Sequence, residues 1–548
     1  MTLIFRTENE SEFGATNDEY MKRNLLIFFL LASVQPYIFG QQPKENKASS
    51  LIIENYTYKA ERKAKTAVDH NKFQILQQKF NRPQDVTIAC LSCHTERHSE
   101  IMINNHFSWD RQENILNHGL QSVGKKNVLN NFCVGIGSNE AMCTKCHAGY
   151  GWTDTTFNFR AKENIDCLVC HDKTGTYVKG DGGMPTPETD LNKVAQNVGF
   201  STAQNCGSCH FFGGGGNNVK HGDLDKAMLK SDRNLDVHMA KEGEDMSCTD
   251  CHITENHNIT GKLYALSSEN TDRVSCEQCH TNSPHKRNIL NKHTDRVACQ
   301  TCHIPFYAKA NPTKTYWDWS TAGKLDANGK PIELKDSLGN VVYFSKKGSF
   351  VWGQNIQPEY RWFNGLAGHF LITDTICTVP VQLNILDGAY DDKGTNLRSL
   401  VPSKIWPVKI MRGKQPYDTQ FKTLLQPKVV GPKGSGAYWA DYDWQKSLEK
   451  GTEYIHQPFS GQFGFVETEM YWPLNHQVAP ANEALSCVDC HVRGEKGRLD
   501  ALSGFYLPGR DNFPWADYIG IFLVFSTFVG VLIHGGLRIF FKNNNNHN

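Results

Sequence analysis

The chain has 548 residues, with 58 lysines and arginines against 57 aspartates and glutamates, for a formal net charge of +1. That balance excludes a nucleic-acid binder, which needs a basic excess to meet phosphate. A mean hydropathy of −0.50, with 18 cysteines and 22 histidines, implies that apolar side chains alone do not fill the core of a chain long enough for several domains.

From the start, residues 1–20 are polar and acidic and read as an extension foreign to the native protein, whose start is placed at Met21. Met21-Lys22-Arg23 followed by the apolar run Leu25–Val34 has the basic-then-apolar order of a secretory signal. Cleavage is expected near Gly40–Gln41, so 21–40 is the signal peptide and 41–85 a helical lead-in of mixed charge.

Residues 86–310 carry one pattern seven times: Cys90/Cys93/His94, Cys143/Cys146/His147, Cys167/Cys170/His171, Cys206/Cys209/His210, Cys248/Cys251/His252, Cys276/Cys279/His280 and Cys299/Cys302/His303. An eighth copy, Cys487/Cys490/His491, lies in the segment 481–495. Cys-x-x-Cys-His is the attachment signal of c-type haem: the two thiols add to the vinyl groups, and the adjacent imidazole binds the iron. Zinc knuckles and redox dithiols also use paired cysteines, but neither requires a histidine directly after the second. The expected cofactors are eight covalently bound haems c, which supply the missing core, so the chain is not expected to fold without them. Unequal spacing rules out a solenoid repeat. Sixteen cysteines are thereby used, leaving Cys133 and Cys377. In an exported protein these two can pair as a disulfide; otherwise Cys377 is expected to be a buried structural thiol.

From 311 to 480 no attachment site occurs, and tryptophan, tyrosine, glycine and proline accompany short apolar runs. This predicts irregular structure with short strands, wrapped around the haems or walling a substrate channel. A linker, 496–515, leads to a transmembrane helix over 516–541. Within it, Tyr518 to Leu537 carries no acidic or basic residue except His534, and twenty such residues suffice to cross a bilayer. Arg538 and Lys542 place the tail 542–548 in the cytoplasm and the haem-bearing part in the periplasm. The expected fold class is mainly α with much irregular structure, a multihaem cytochrome c fold around eight haems plus one C-terminal transmembrane helix.

The stretches between the motifs are more specific. GKKNVLNNFC runs from Gly124 to Cys133, CGSCHFFGGGGNNVKHGDLD from Cys206 to Asp225, CEQCHTNSPHKRNILNKHTDRVACQTCHIP from Cys276 to Pro305, and ETEMYWPLNHQVAP from Glu467 to Pro480. Together, over roughly Arg82 to His491, they resemble the octahaem tetrathionate reductase family, relatives of hydroxylamine oxidoreductases and multihaem nitrite reductases. The C-terminal helix departs from the soluble members of that family.

The resemblance implies seven haems with two imidazoles each and one exceptional haem, the second. With the eight motif histidines set aside, the candidates for the seven distal positions are His98, His106, His238, His257, His285, His293 and His476. His118, His221, His369 and His456 are left over, and His70, His534 and His547 fall outside the haem core. On the second haem the resemblance implies a lysine amine as distal ligand and a cysteine in the same cavity, which correspond here to Lys220 and Cys133, with His221 as competing ligand. An amine loses its proton to bind iron, which burial near a metal favours.

The function so implied is two-electron reduction of tetrathionate, a small inorganic anion, to thiosulfate, by a membrane-tethered periplasmic reductase. The electron donor expected is a quinol-oxidising membrane protein of the cytochrome b type; His534 is a possible ligand for a shared b-type haem, against the plainer reading of an interfacial histidine. Two alternatives stand beside it: nitrite or hydroxylamine chemistry at the same haem, and a non-catalytic electron conduit.

Overall fold

The computed structural model describes residues 68–544 apart from 116–117, 130–133, 262–271, 388–401, 495 and 512. The N-terminal extension, the signal and Cys133 lie outside the described residues.

The haem-dense part is built of single helical turns. In seven of the eight motifs the first cysteine and the histidine share one such turn: His94 N–H donates to the Cys90 carbonyl at 2.9 Å, and His171, His252, His280 and His491 repeat the bond. The fourth and seventh motifs lie in helices Ala203–His210 and Cys299–His303. Local sequence explains several of these turns. Ser247 and Ser486 precede the motif, and Asp250 and Asp489 occupy the third helical position, forming capping boxes that satisfy the first N–H groups. The second motif differs. Its helix ends at Cys143, and His147 N–H instead closes a tighter turn onto the Thr144 carbonyl at 2.7 Å, leaving His147 in extended backbone.

Strands β1 (Arg111–Ile115) and β2 (Gly119–Val123) form a hairpin ahead of the second motif, and β3 (Thr254–Glu255) and β4 (Asn258–Ile259) a smaller one after the fifth. The long motif-free segment holds β5 (Thr313–Asp318), β6 (Glu333–Lys335), β7 (Val341–Phe344), β8 (Gly348–Gly353), β9 (Glu359–Phe363), β10 (Leu366–His369), β11 (Val381–Gln382), β12 (Asn384–Asp387), β13 (Lys404–Asp418) and β14 (Phe463–Pro473). Eight of these make one mixed sheet in the order β11-β14-β13-β5-β8-β7-β6, with β9 also on β13.

This corrects two expectations: the fold is not mainly helical, and the strands here are not all short. β13 runs for 15 residues and pairs with β14 from Val408↔Pro473 to Asp418↔Phe463. The reason is that charges interrupting its apolar run are paired. Arg412 meets Glu359 and Glu469, and Lys414 meets Glu467 across the ladder, while Lys409 is buried among backbone acceptors.

One core cluster joins this sheet to the rest of the chain. Trp317, Phe350, Met411, Val466, Met470 and Trp472 share it with Val219, from the glycine-rich loop, and with Leu129 and Val134 ahead of the second motif. The sheet thus anchors the segments on both sides of the expected active site. At the C-terminus, Pro514–Asn544 is one helix, and its stretch Pro514–Phe541 is long and apolar enough to cross a membrane and is not buried by the described residues.

Candidate redox site

Seven motif imidazoles each face a second imidazole. The pairs, with ring-centroid separations, are His94–His70 at 6.4 Å, His171–His257 at 6.3 Å, His210–His106 at 6.0 Å and His252–His476 at 6.3 Å. The others are His280–His238 at 6.2 Å, His303–His285 at 6.1 Å and His491–His293 at 6.1 Å. Two metal–nitrogen bonds of about 2 Å each, together with the ring radii, span such a gap. The opposite ring nitrogens agree. Nδ1 of His70, His171, His252 and His491 lies 2.8–2.9 Å from a backbone carbonyl, and Nδ1 of His257 lies 2.7 Å from the Glu100 carboxylate. Nδ1 of His106, His285 and His476 lies 2.9, 3.2 and 3.3 Å from Asn104, Asn291 and Asp223. Such partners fix the tautomer that leaves Nε2 for a metal and hold the ring in place. Gly261, at φ +101°, makes room for one of these rings, since a Cβ there would lie 2.4 Å from His252 Nδ1. The residues present therefore fit iron held between imidazoles beside paired cysteines.

Six of the distal candidates, His106, His238, His257, His285, His293 and His476, stand in these pairs. The seventh is corrected: His94 faces His70, not His98. His98 has its Nδ1 on the Thr95 carbonyl at 2.8 Å in its own helical turn, whereas His70 sits in a short turn that the segment to Phe80 docks onto the core. Sequence offered no signal for His70, which lies far from any motif.

The motifs form a connected series. Cysteines of different motifs lie side by side: Cys90 with Cys167, Cys146 with Cys209, Cys206 with Cys248, and Cys276 with Cys299. Cys170 lies near Cys206, Cys251 near Cys279, and Cys302 near both Cys487 and Cys490. The order is eighth, seventh, sixth, fifth, fourth, and then a fork, one arm to the second and the other through the third to the first.

Cys93 is one of four exposed motif thiols, with Cys170, Cys279 and Cys487. Its sulfur lies 3.8 Å from the hydroxyl of its neighbour Ser92.

His147 is the exception in side-chain contacts as well as backbone. It is fully buried within a ring of Phe107, Trp109, Trp152, Phe157 and Phe159, at centroid distances of 5.0 to 6.0 Å. No imidazole faces it among the described residues. Its Nε2 lies 2.5 Å from the Phe107 carbonyl and its Nδ1 is buried without a partner, so the Nε2 turns from that carbonyl when it binds iron; burial, with the nearby charges of Lys179 and Lys125, pushes its pKa down to about 3. Lys125 lies 4.0 Å from the Trp109 ring centroid and Lys126 4.4 Å from that of Phe159. Lys179 donates to the carbonyls of His147 and Gly149 and pairs with Asp166. Sequence reasoning missed all three lysines as site residues: the Lys125-Lys126 pair stood within a quoted motif, and Lys179 carried no signal.

Lys220 packs against β14. Its ammonium lies 4.7 Å from the Trp472 ring centroid, and the same ring packs edge-on against His221 at 4.8 Å. Burial and the charge of Lys220 hold His221 well below the ordinary histidine pKa. Lys220 also acts on His210 of the fourth motif, which abuts the second through Cys209 and Cys146. Underneath, Lys409 donates to the carbonyls of Val219 and Lys220, both at 2.9 Å. Cys377 corrects another expectation: it is an exposed thiol, because it sits in the loop between β10 and β11.

Cysteine pairs beside opposed, tautomer-fixed imidazoles, repeated through one chain, define a c-type cytochrome with several haems. Comparisons agree. The family model for bacterial cytochrome c matches residues 314–494, and that for cytochrome c554 and c-prime matches 205–281. The crystal structure of octaheme cytochrome c from Shewanella oneidensis superposes with a TM-score of 0.72 at 41% identity, covering 82% of this chain and 98% of that one. A protein of Archaeoglobus fulgidus is 24% identical over 242 residues, 35% of this chain and 80% of its own length. The chain belongs to the multihaem c-type cytochromes and is a redox protein with covalently bound haem c.

Proposed function

We propose that this protein is a periplasmic reductase carrying eight haems c and tethered by its C-terminal helix, with the site of reduction at Cys143/Cys146/His147 and tetrathionate as substrate. The observation that carries this reading is the contrast between seven motif histidines that each face an imidazole and His147, which faces none among the described residues. Haem supplies one-electron carriage where both axial positions are filled, and an electron source open to substrate where one is not.

The chain's own residues do the rest. Lys125, Lys179 and Lys145, the lysine between the two cysteines, put positive charge beside Cys146, which attracts a dianion. The Cys133 thiolate attacks the central sulfur–sulfur bond, as in thiol–disulfide exchange. A bond forms between the cysteine sulfur and one half of the substrate, and the first thiosulfate leaves. Two electrons then cleave that new bond, releasing the second thiosulfate and restoring the thiolate. Lys220 is assigned as the amine that would hold the iron of the second motif or steady the departing anion, which requires it to leave its contact with Trp472. Cys133→Ala is expected to abolish tetrathionate turnover driven by a soluble dye. An unchanged rate would remove the thiol step.

A second reading, reduction of nitrite or hydroxylamine, is favoured by Glu140. This carboxyl lies three residues before Cys143, and burial raises its pKa, so it can hold a proton that nitrogen–oxygen cleavage needs and tetrathionate cleavage does not. Steady-state rates on tetrathionate, nitrite and hydroxylamine with one donor separate the two. A plain conduit would bind no external ligand, so nitric oxide binding to one haem per chain argues against that third alternative.

A further inference from the structure

The eighth motif is one end of the series and also the part of the haem-bearing fold tied to the membrane helix. His491 Nδ1 lies 2.8 Å from the carbonyl of Pro508, six residues before the helix begins. Two residues beyond His491, the Arg493 guanidinium lies 3.6 Å from Asp517 in the first turn of that helix. The linker between them is not slack. Leu499, Leu502 and Leu507 pack with Tyr360 and Ile405 in a cluster that Cys490 joins. Arg510 donates to the carbonyls of Leu499 and Phe505.

A second observation places this end in the headgroup region. Tyr506, Phe513, Trp515 and Tyr518 are all more than half exposed, and Tyr506 stacks on Phe513 at 5.6 Å, with Trp515 next to it. Exposed aromatics at the mouth of an apolar span are the residues that settle at a membrane interface. Beside them, Val488, between the two cysteines of the eighth motif, is 71% exposed.

From this geometry we propose that electrons enter the protein at the eighth motif, on the bilayer surface, from a separate membrane-embedded protein that oxidises lipid-soluble quinol. A separate protein is required because, among the described residues, one helix alone is long and apolar enough to cross the bilayer, and one helix encloses no quinol pocket. Each quinol yields quinone, two protons and two electrons, which pass singly from the eighth motif through the seventh, sixth, fifth and fourth to the second. The direction of flow rests on the reductase reading; the location of the port does not.

The test uses the full chain in its native membrane and follows haem reduction optically, with no tetrathionate present. A flexible 20-residue glycine–serine insert between Phe513 and Pro514 frees the eighth motif from the bilayer by about 25 Å. Reduction by a short-chain menaquinol is expected to slow at least tenfold, while reduction by reduced methyl viologen is unchanged. An unchanged menaquinol rate overturns the port. In liposomes holding only this protein, menaquinol is expected to reduce no haem; reduction as fast as in native membranes overturns the separate partner. A photo-cross-linking residue at Val488 is expected to join a quinol-oxidising membrane protein, and the same residue at exposed Ile103, near the first motif, is not. The reverse pattern also overturns the port. Viologen-driven tetrathionate turnover, assayed alongside, reports on the reductase reading independently.

Discussion

Exchanging His70 for alanine, with His98→Ala beside it, tests the site most directly. His70 faces His94 at 6.4 Å, one of seven such pairs. His70→Ala therefore removes the sixth ligand from one iron and lowers the bis-imidazole low-spin signal by one part in seven. The fold around the site should survive the change. The segment is held independently by Leu76 and Phe80 in a cluster with Val86, Leu168 and Val194. It is also tied by the Asn192 side chain to Phe80 N–H at 3.0 Å and by Gln196 to the Leu76 carbonyl at 2.8 Å, bonds worth about 1 kcal/mol each. Electron paramagnetic resonance of the oxidised protein should show one new high-spin iron per chain. Carbon monoxide titration of the reduced protein should show one additional binding site. His98→Ala should change neither, since its ring is tied to the Thr95 carbonyl within its own turn. A high-spin signal from His98→Ala and none from His70→Ala would refute the pairing.

Two further outcomes are expected. Lys409→Met strips the donor from the carbonyls of Val219 and Lys220; with each unsatisfied group costing about 1–3 kcal/mol and part offset by no longer burying an amine, denaturant unfolding should show a loss of about 2–4 kcal/mol. The loss should be accompanied by an altered spectrum of the exceptional haem, and unchanged stability would refute this role. Asp511 is held at about 2, below its ordinary 3.8, by the Arg510 guanidinium and the Leu507 N–H. Its contribution to the linker is complete above pH 3.8 and is lost as pH falls through about 2, so limited proteolysis of residues 499–511 should stay slow at pH 3 and accelerate toward pH 2, while Asp511→Asn should be cleaved readily throughout.

The sequence by itself determined the covalent chemistry. Cys-x-x-Cys-His binds through neighbours in the chain, so its eight sites were readable without a fold, as was the apolar span, whose signal is continuous. Distal ligands are another matter, because each is delivered by a different part of the chain, and Cβ direction and turn geometry decide which ring reaches which gap. His98 stood four residues beyond His94 and looked suitable, yet its helical turn points it at its own backbone, and His70, twenty-four residues upstream of His94, takes the place. The long ladder of β13 and β14 was hidden for a related reason: Lys409, Arg412 and Lys414 broke its apolar pattern, and only pairing across strands neutralises them. The resemblance already implied that the second motif is the exception; the tertiary structure supplies the reason, because whether an imidazole is faced by another depends on what distant segments bring to it, and here aromatic rings surround His147.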